Sequence, residues 1–127
     1  EKIYTSEFTD YSAVKIVGDA TPNGWSLDNA TELNTDNNHT WTWTGELKEG
    51  EIKFVLNNNT DWISGKWLMS PKDGNNFESG SILYVDLNEH PGKDYKWKVT
   101  ETGNYTITVN TLTEKLTVVK NEVAAEE

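Results

Sequence analysis

The stretch His39–Leu47 reads HTWTWTGEL. Trp41 and Trp43 fall on one side of it, and Thr40, Thr42 and Thr44 fall on the other. A period of two is the signature of a half-buried strand. Downstream, Glu51–Asn57 (EIKFVLN) repeats the pattern. Ile52, Phe54 and Leu56 point inward together, and Lys53, Val55 and Asn57 share the opposite face. Upstream, Ala13–Gly18 (AVKIVG) sets Val14 and Ile16 against Lys15 and Val17. Towards the end come Ser81–Leu87 (SILYVDL), Tyr95–Val99 (YKWKV), Asn104–Asn110 (NYTITVN) and Lys115–Lys120 (KLTVVK). Turn chemistry separates these runs: Pro22-Asn23-Gly24, the TDNN of Thr35–Asn38, Lys48–Gly50, His90-Pro91-Gly92, Gly103 and Leu112–Glu114. Short strands broken this often predict an all-β fold, an immunoglobulin-like antiparallel β-sandwich of about seven strands. Asn57–Gly80 reads as a polar loop region, too long for a plain connector.

The 127 residues make one domain. We place it at 13–120. Residues 1–12 read as a leader or linker with a short edge strand at Ile3–Thr5, and 121–127 as a frayed acidic tail. Sixteen threonines and 14 asparagines favour strands and turns over helices. Net charge is −10, with 21 acids against 11 basic residues, all of them lysine. That balance opposes nucleic-acid binding and docking on an anionic membrane. No apolar run is long enough to cross a bilayer as a helix. Cysteine is absent, which excludes disulfides, thiolate catalysis and cysteine-based zinc sites. The chain shows no signal peptide, which fits either a cytosolic protein or a segment cut from a larger secreted one.

Motifs of catalysis are missing. There is no Gly-x-Ser-x-Gly, no phosphate loop and no His-Glu-x-x-His. Two histidines, His39 and His90, read as surface residues. Asp36–Asn38, Asp73–Asn76 and Asp86–Asp94 offer oxygen ligands, but none has EF-hand spacing, and Asx residues in loops are ordinary turn formers. Four Asn-x-Thr sequons, at Asn29, Asn38, Asn58 and Asn104, are what this composition yields by chance. The reading is a non-enzyme with no metal and no cofactor.

Six tryptophans are an excess for a chain this size. Trp41, Trp43 and Trp97 lie in alternating strands and read as core. Trp25, Trp62 and Trp67 sit among turn residues, where an exposed indole is costly unless used. A neutral pyranose suits such rings, because its C–H face stacks on indole and its hydroxyl rim takes hydrogen bonds from Lys, Asn and Asp.

These residues carry a resemblance. AVKIVGDATPNGWSLDNATEL, the Trp-containing strand, GELKEGEIKFVLNNNTDW and ETGNYTITVNTLTEKLTV together resemble the domains of SusE/SusF-type starch-binding outer-membrane lipoproteins of Bacteroidetes. Val-Gly-Asp-Ala-Thr-Pro-x-Gly-Trp is the most specific piece, and the likeness spans Ala13–Lys120. The order of Gly-Trp, Lys-Phe and a further Trp is also similar to the starch-binding modules attached to amylases. The resemblance implies non-catalytic binding of an α-glucan between Trp25 and Trp62, with Lys53 bonding sugar hydroxyls. Asn57, Asn59 and Asp61 are added as hydroxyl partners, and Trp67 as a third surface. It also implies a cell-surface address on the outer membrane as part of a lipoprotein, with neighbouring domains and surface starch-uptake proteins as partners and no membrane insertion by this domain. Two alternatives stay open: a structural spacer whose loop tryptophans pack into the sandwich end, and a module for another polysaccharide such as a xylan or mannan.

Overall fold

The computed structural model describes residues 11–36 and 38–121. The edge strand read at Ile3–Thr5 and residues 122–127 of the acidic tail lie outside the described residues. Eleven strands are present among the described residues: β1 Val14–Val17, β2 Thr31–Glu32, β3 Asn34–Thr35, β4 Thr40–Leu47, β5 Gly50–Leu56, β6 Lys66–Met69, β7 Gly80–Ser81, β8 Leu83–Asp86, β9 Trp97–Val99, β10 Gly103–Asn110 and β11 Lys115–Lys120. No helix occurs among the described residues.

The strands form two antiparallel sheets. The first runs β2-β1-β5-β6-β8, with β9 also paired to β5, and the second runs β3-β4-β10-β11-β7. One apolar cluster joins them. Val14, Ile16, Ile52, Phe54, Leu56, Leu68 and Trp97 come from the first sheet, and Trp41, Leu47, Ile107, Val109 and Leu116 from the second. The fold is therefore all-β and consistent with a β-sandwich. Alternation explains it: each strand sends every second side chain into the shared core.

The outer faces differ. On the second sheet the alternate residues of β4, β10 and β11 are threonines and other polar side chains facing water, with Val119 the apolar exception on β11. Thr44 lies opposite Thr106, and their hydroxyls are 3.0 Å apart. On the first sheet the outer face is itself buried. Val17, Val55, Trp67, Met69 and Val85 pack there with Leu27 and Leu87 beneath overlying loops. Val17 thus joins an apolar cluster of its own, a role that alternation alone does not disclose.

Three readings change. The segment 57–80 is not one loop: β6 lies within it, paired to both β5 and β8. The run KWLM is apolar without alternation because both its faces are covered, so no period marks it. His39 is not a surface residue but 3% exposed, at a positive φ of 70° just before β4. Its carbonyl accepts the Thr111 amide and hydroxyl, which seals the end of the β4–β10 pair. Trp43 shares the inward face of Trp41 but is only half-buried. β3 pairs just Thr42 and Trp41, so beyond them β4 is an open edge, and the Trp43 ring folds over Gly45 there.

Candidate functional site

Three loops meet over the outer face of the first sheet. Residues 18–30 join β1 to β2, 57–65 join β5 to β6, and 87–96 join β8 to β9. Between them lies a pocket of about 420 Å³, within the range of small-ligand sites. Trp25, Trp62, Ile63 and Leu87 form its apolar side, and Glu51, Lys53, Lys93, Asp94 and Lys96 its polar side.

The first loop is fixed by its own backbone. The Gly18 amide donates to the Gly24 carbonyl, and the Thr21 amide and hydroxyl donate to the Gly18 carbonyl. Gly18 has a φ of +135°, and a Cβ there would lie 2.0 Å from the Glu51 carbonyl oxygen. Only glycine permits that approach. Leu27 anchors the far side in the outer cluster. Trp25 is thereby left standing at the surface, 41% exposed.

The second loop is held by the residues read as sugar partners. The Asn59 side chain accepts the Asp61 amide and donates to the Ser64 carbonyl. Asp61 accepts the Ile63 amide and the Ser64 hydroxyl. The Ile63 amide and the Ser64 hydroxyl hold the Asp61 carboxyl below the usual carboxylate range. Asn57, at a φ of 64°, accepts the Ser12 amide and hydroxyl and ties the loop to the start of the domain. None of the three lines the pocket. They shape the turn that carries Trp62, because Asx side chains engage nearby backbone amides more readily than they reach outward.

Trp67 corrects the expectation of a third binding surface. It lies in β6, fully buried, with its indole N–H donating to the Ser64 carbonyl. Its ring stacks on Trp62 at 5.9 Å and 26°. Trp62, 40% exposed, meets Trp25 at 5.9 Å and 63°. The three indoles form a ladder from interior to surface, ending in an angled pair.

Lys53 also departs from expectation. It faces away from Ile52 and Phe54 as read, but its amine does not reach bulk water. The residue is 5% exposed, beneath the loops. Its ammonium sits 4.4 Å above the Trp67 ring and donates to Asp94 Oδ1 at 2.7 Å. Burial pulls its pKa below the ordinary lysine value, and the Asp94 hydrogen bond and charge offset only part of that. Lys96 donates to Asp94 Oδ2 at 2.9 Å. Burial alone would raise the Asp94 carboxyl, yet the hydrogen bonds and charges of Lys53 and Lys96 together hold it below its usual value. Lys93 lies over the Tyr95 ring at 4.3 Å.

Asp94, Lys96, Lys93 and Glu51 escaped the sequence reading. Asp94 stands 41 positions from Lys53, so no local spacing links them. The usable signal is Lys53 itself: a cation set between Ile52 and the apolar run Phe54–Leu56 needs a nearby anion. Ile63, beside Trp62, was legible as an apolar loop residue and is 79% exposed on the pocket rim. Among the described residues no group of three His, Cys, Asp or Glu is placed to hold a metal. No family model, curated protein or solved structure matches this chain.

Proposed function

We propose that the chain is a non-catalytic carbohydrate-binding module, and that its ligand is a starch-like α-glucan. The observation that carries this reading is the Trp25–Trp62 pair: two exposed rings at 63° beside a pocket rich in donors and acceptors. A pyranose stacks its C–H face on such a ring. Two rings set at an angle suit consecutive residues of a curved α-1,4 chain better than a flat ribbon such as cellulose. Each stacked ring contributes on the order of 1–3 kcal/mol, by analogy with bases on aromatics. Affinity per module is then roughly micromolar to millimolar. Tandem modules would gain by avidity.

The proposal extends to the SusE/SusF-type lipoproteins and to a place on the outer-membrane surface, for which the motifs quoted above are the support. It extends also to an immunoglobulin-like sandwich. Tyr105 supports that finer assignment: near the start of β10, its hydroxyl donates to the Glu101 carbonyl at 2.6 Å, the geometry of a tyrosine corner. The spacer alternative requires Trp25 and Trp62 to pack into the sandwich end, and their exposure opposes it.

Native gels cast with amylopectin, xylan or galactomannan test the ligand. Retardation by amylopectin alone, abolished in Trp25→Ala and Trp62→Ala, is the expected result. Retardation by xylan or galactomannan instead would transfer the site to another polysaccharide. No retardation in any gel would return the domain to a spacer role.

A further inference from the structure

The pocket beside the tryptophans is charged in an unusual way. Three of its residues are lysines (Lys53, Lys93, Lys96) and two are acids (Glu51, Asp94), a local balance of +1 in a chain of −10. A positive, aromatic pocket in an acidic protein is suited to an anion. One carboxylate opposes that outcome. Asp94 takes a lysine on each oxygen, Lys53 at 2.7 Å and Lys96 at 2.9 Å. The lysine side chains are 6% and 19% exposed, whereas that of Asp94 is 51% exposed. These two cations are thus drawn inward, Lys93 lies half-buried over the Tyr95 ring, and within the Lys53–Asp94–Lys96 cluster the group presented to a ligand is the carboxylate.

A carboxylate oxygen has two lone-pair sites. Each Asp94 oxygen spends one on a lysine, which leaves an acceptor on each oxygen. Two acceptors one carboxylate apart match neighbouring hydroxyls of a sugar ring. The carboxylate of a uronic acid offers no hydrogen to them, and Asp94, as the exposed member of the cluster, repels its charge at that point of contact. We infer that Asp94 sets the charge selectivity of the pocket: it accepts hydrogen bonds from the hydroxyls of a neutral sugar and excludes glycans bearing carboxylates. This rests on the carbohydrate-binding reading above and adds the residue that decides between neutral and acidic ligands.

Asp94→Asn keeps the shape and removes the charge. Lys53 and Lys96 then lose their shared counter-ion, and the pocket balance rises to about +2 on the same inventory of charges. The probes are amylopectin and polygalacturonate in native gels, with mobility referred to gels without polysaccharide. Wild type is expected to be retarded by amylopectin and not by polygalacturonate. Asp94→Asn is expected to lose about tenfold in apparent affinity for amylopectin and to become retarded by polygalacturonate. Lys96→Gln in the Asp94→Asn background should reduce that gained retardation, an effect that a merely structural role would not produce. Asp94→Ser supplies the same test should the asparagine variant fail to fold. If wild type binds amylopectin and neither Asp94 variant changes the preference, the selectivity role is overturned and the glucan reading stands. Wild type binding polygalacturonate as well as amylopectin also overturns it. Wild type binding neither polymer removes the glucan reading and this inference with it.

Discussion

Both sheets have an outer face, and the two are built from opposite materials. That of the second sheet is a solvated array of threonines, with Thr44 bonded across to Thr106. That of the first sheet is a second apolar cluster roofed by three loops, with Trp67 fully buried within it. A bare polar face needs no loops to cover it. A roofed face must carry loops, and where their tips meet it leaves a pocket. The fold thus puts its candidate site over the sheet that is covered twice. The same contrast divides two tryptophans five positions apart: Trp67 supports, and Trp62 faces outward.

The largest effect should come from removing that support. Trp67→Ala is expected to cost about 3–5 kcal/mol of stability, the range for truncating a large buried aromatic. Thermal and urea unfolding would read it. Stability close to wild type would mean that the outer cluster is not a true core.

Trp62→Ala and Trp25→Ala should separate binding from stability. Each should weaken maltoheptaose binding about tenfold or more by calorimetry, while the melting temperature moves little, because each ring is two-fifths exposed. A fall in melting temperature as large as that of Trp67→Ala would erase the distinction between the two rings.

A smaller, pH-dependent effect follows from Asp94. Its carboxyl is lowered in the folded protein by Lys53 from β5 and by Lys96, with Glu51 and Lys93 lining the same pocket. A depressed carboxylate stabilises the fold above its unfolded value of about 3.9. That contribution is lost as pH falls through the folded value. The melting-temperature gap between wild type and Asp94→Asn should therefore hold from neutral pH down to the ordinary carboxylate range and close below it. A gap independent of pH would mean that the ion pairs do not hold Asp94.

The smallest effect belongs to the other sheet. Thr44→Ala and Thr106→Ala should shift stability by about 0.5 kcal/mol or less and leave glucan binding unchanged. A loss of binding in either would move the site to the threonine face.

Much of this contrast was legible in the residues. The alternation of β4, β5 and β10 carries the sandwich, and Gly24-Trp25 and Asp61-Trp62 mark indoles left on turns. β6 was hidden because a strand covered on both faces shows no period. Trp67 is hidden with it, and the outer-face position of Lys53 does not disclose its burial because nothing near it in sequence announces the loops above. Asn57, Asn59 and Asp61 have the right chemistry for sugar hydroxyls, but groups of their own loop claim Asn59 and Asp61 first, and Ser12 claims Asn57. Asp94 is a product of tertiary pairing and has no local signature.

The most direct test is to follow the indole N–H resonances of the protein during a maltoheptaose titration up to about 10 mM, above the upper end of the affinity range. The account predicts that the Trp25 and Trp62 signals move together along one binding curve, while Trp41 and Trp97, in the core, stay fixed. Signals that stay fixed for Trp25 and Trp62 throughout, or shifts confined to Trp43 at the open edge of β4, would contradict it.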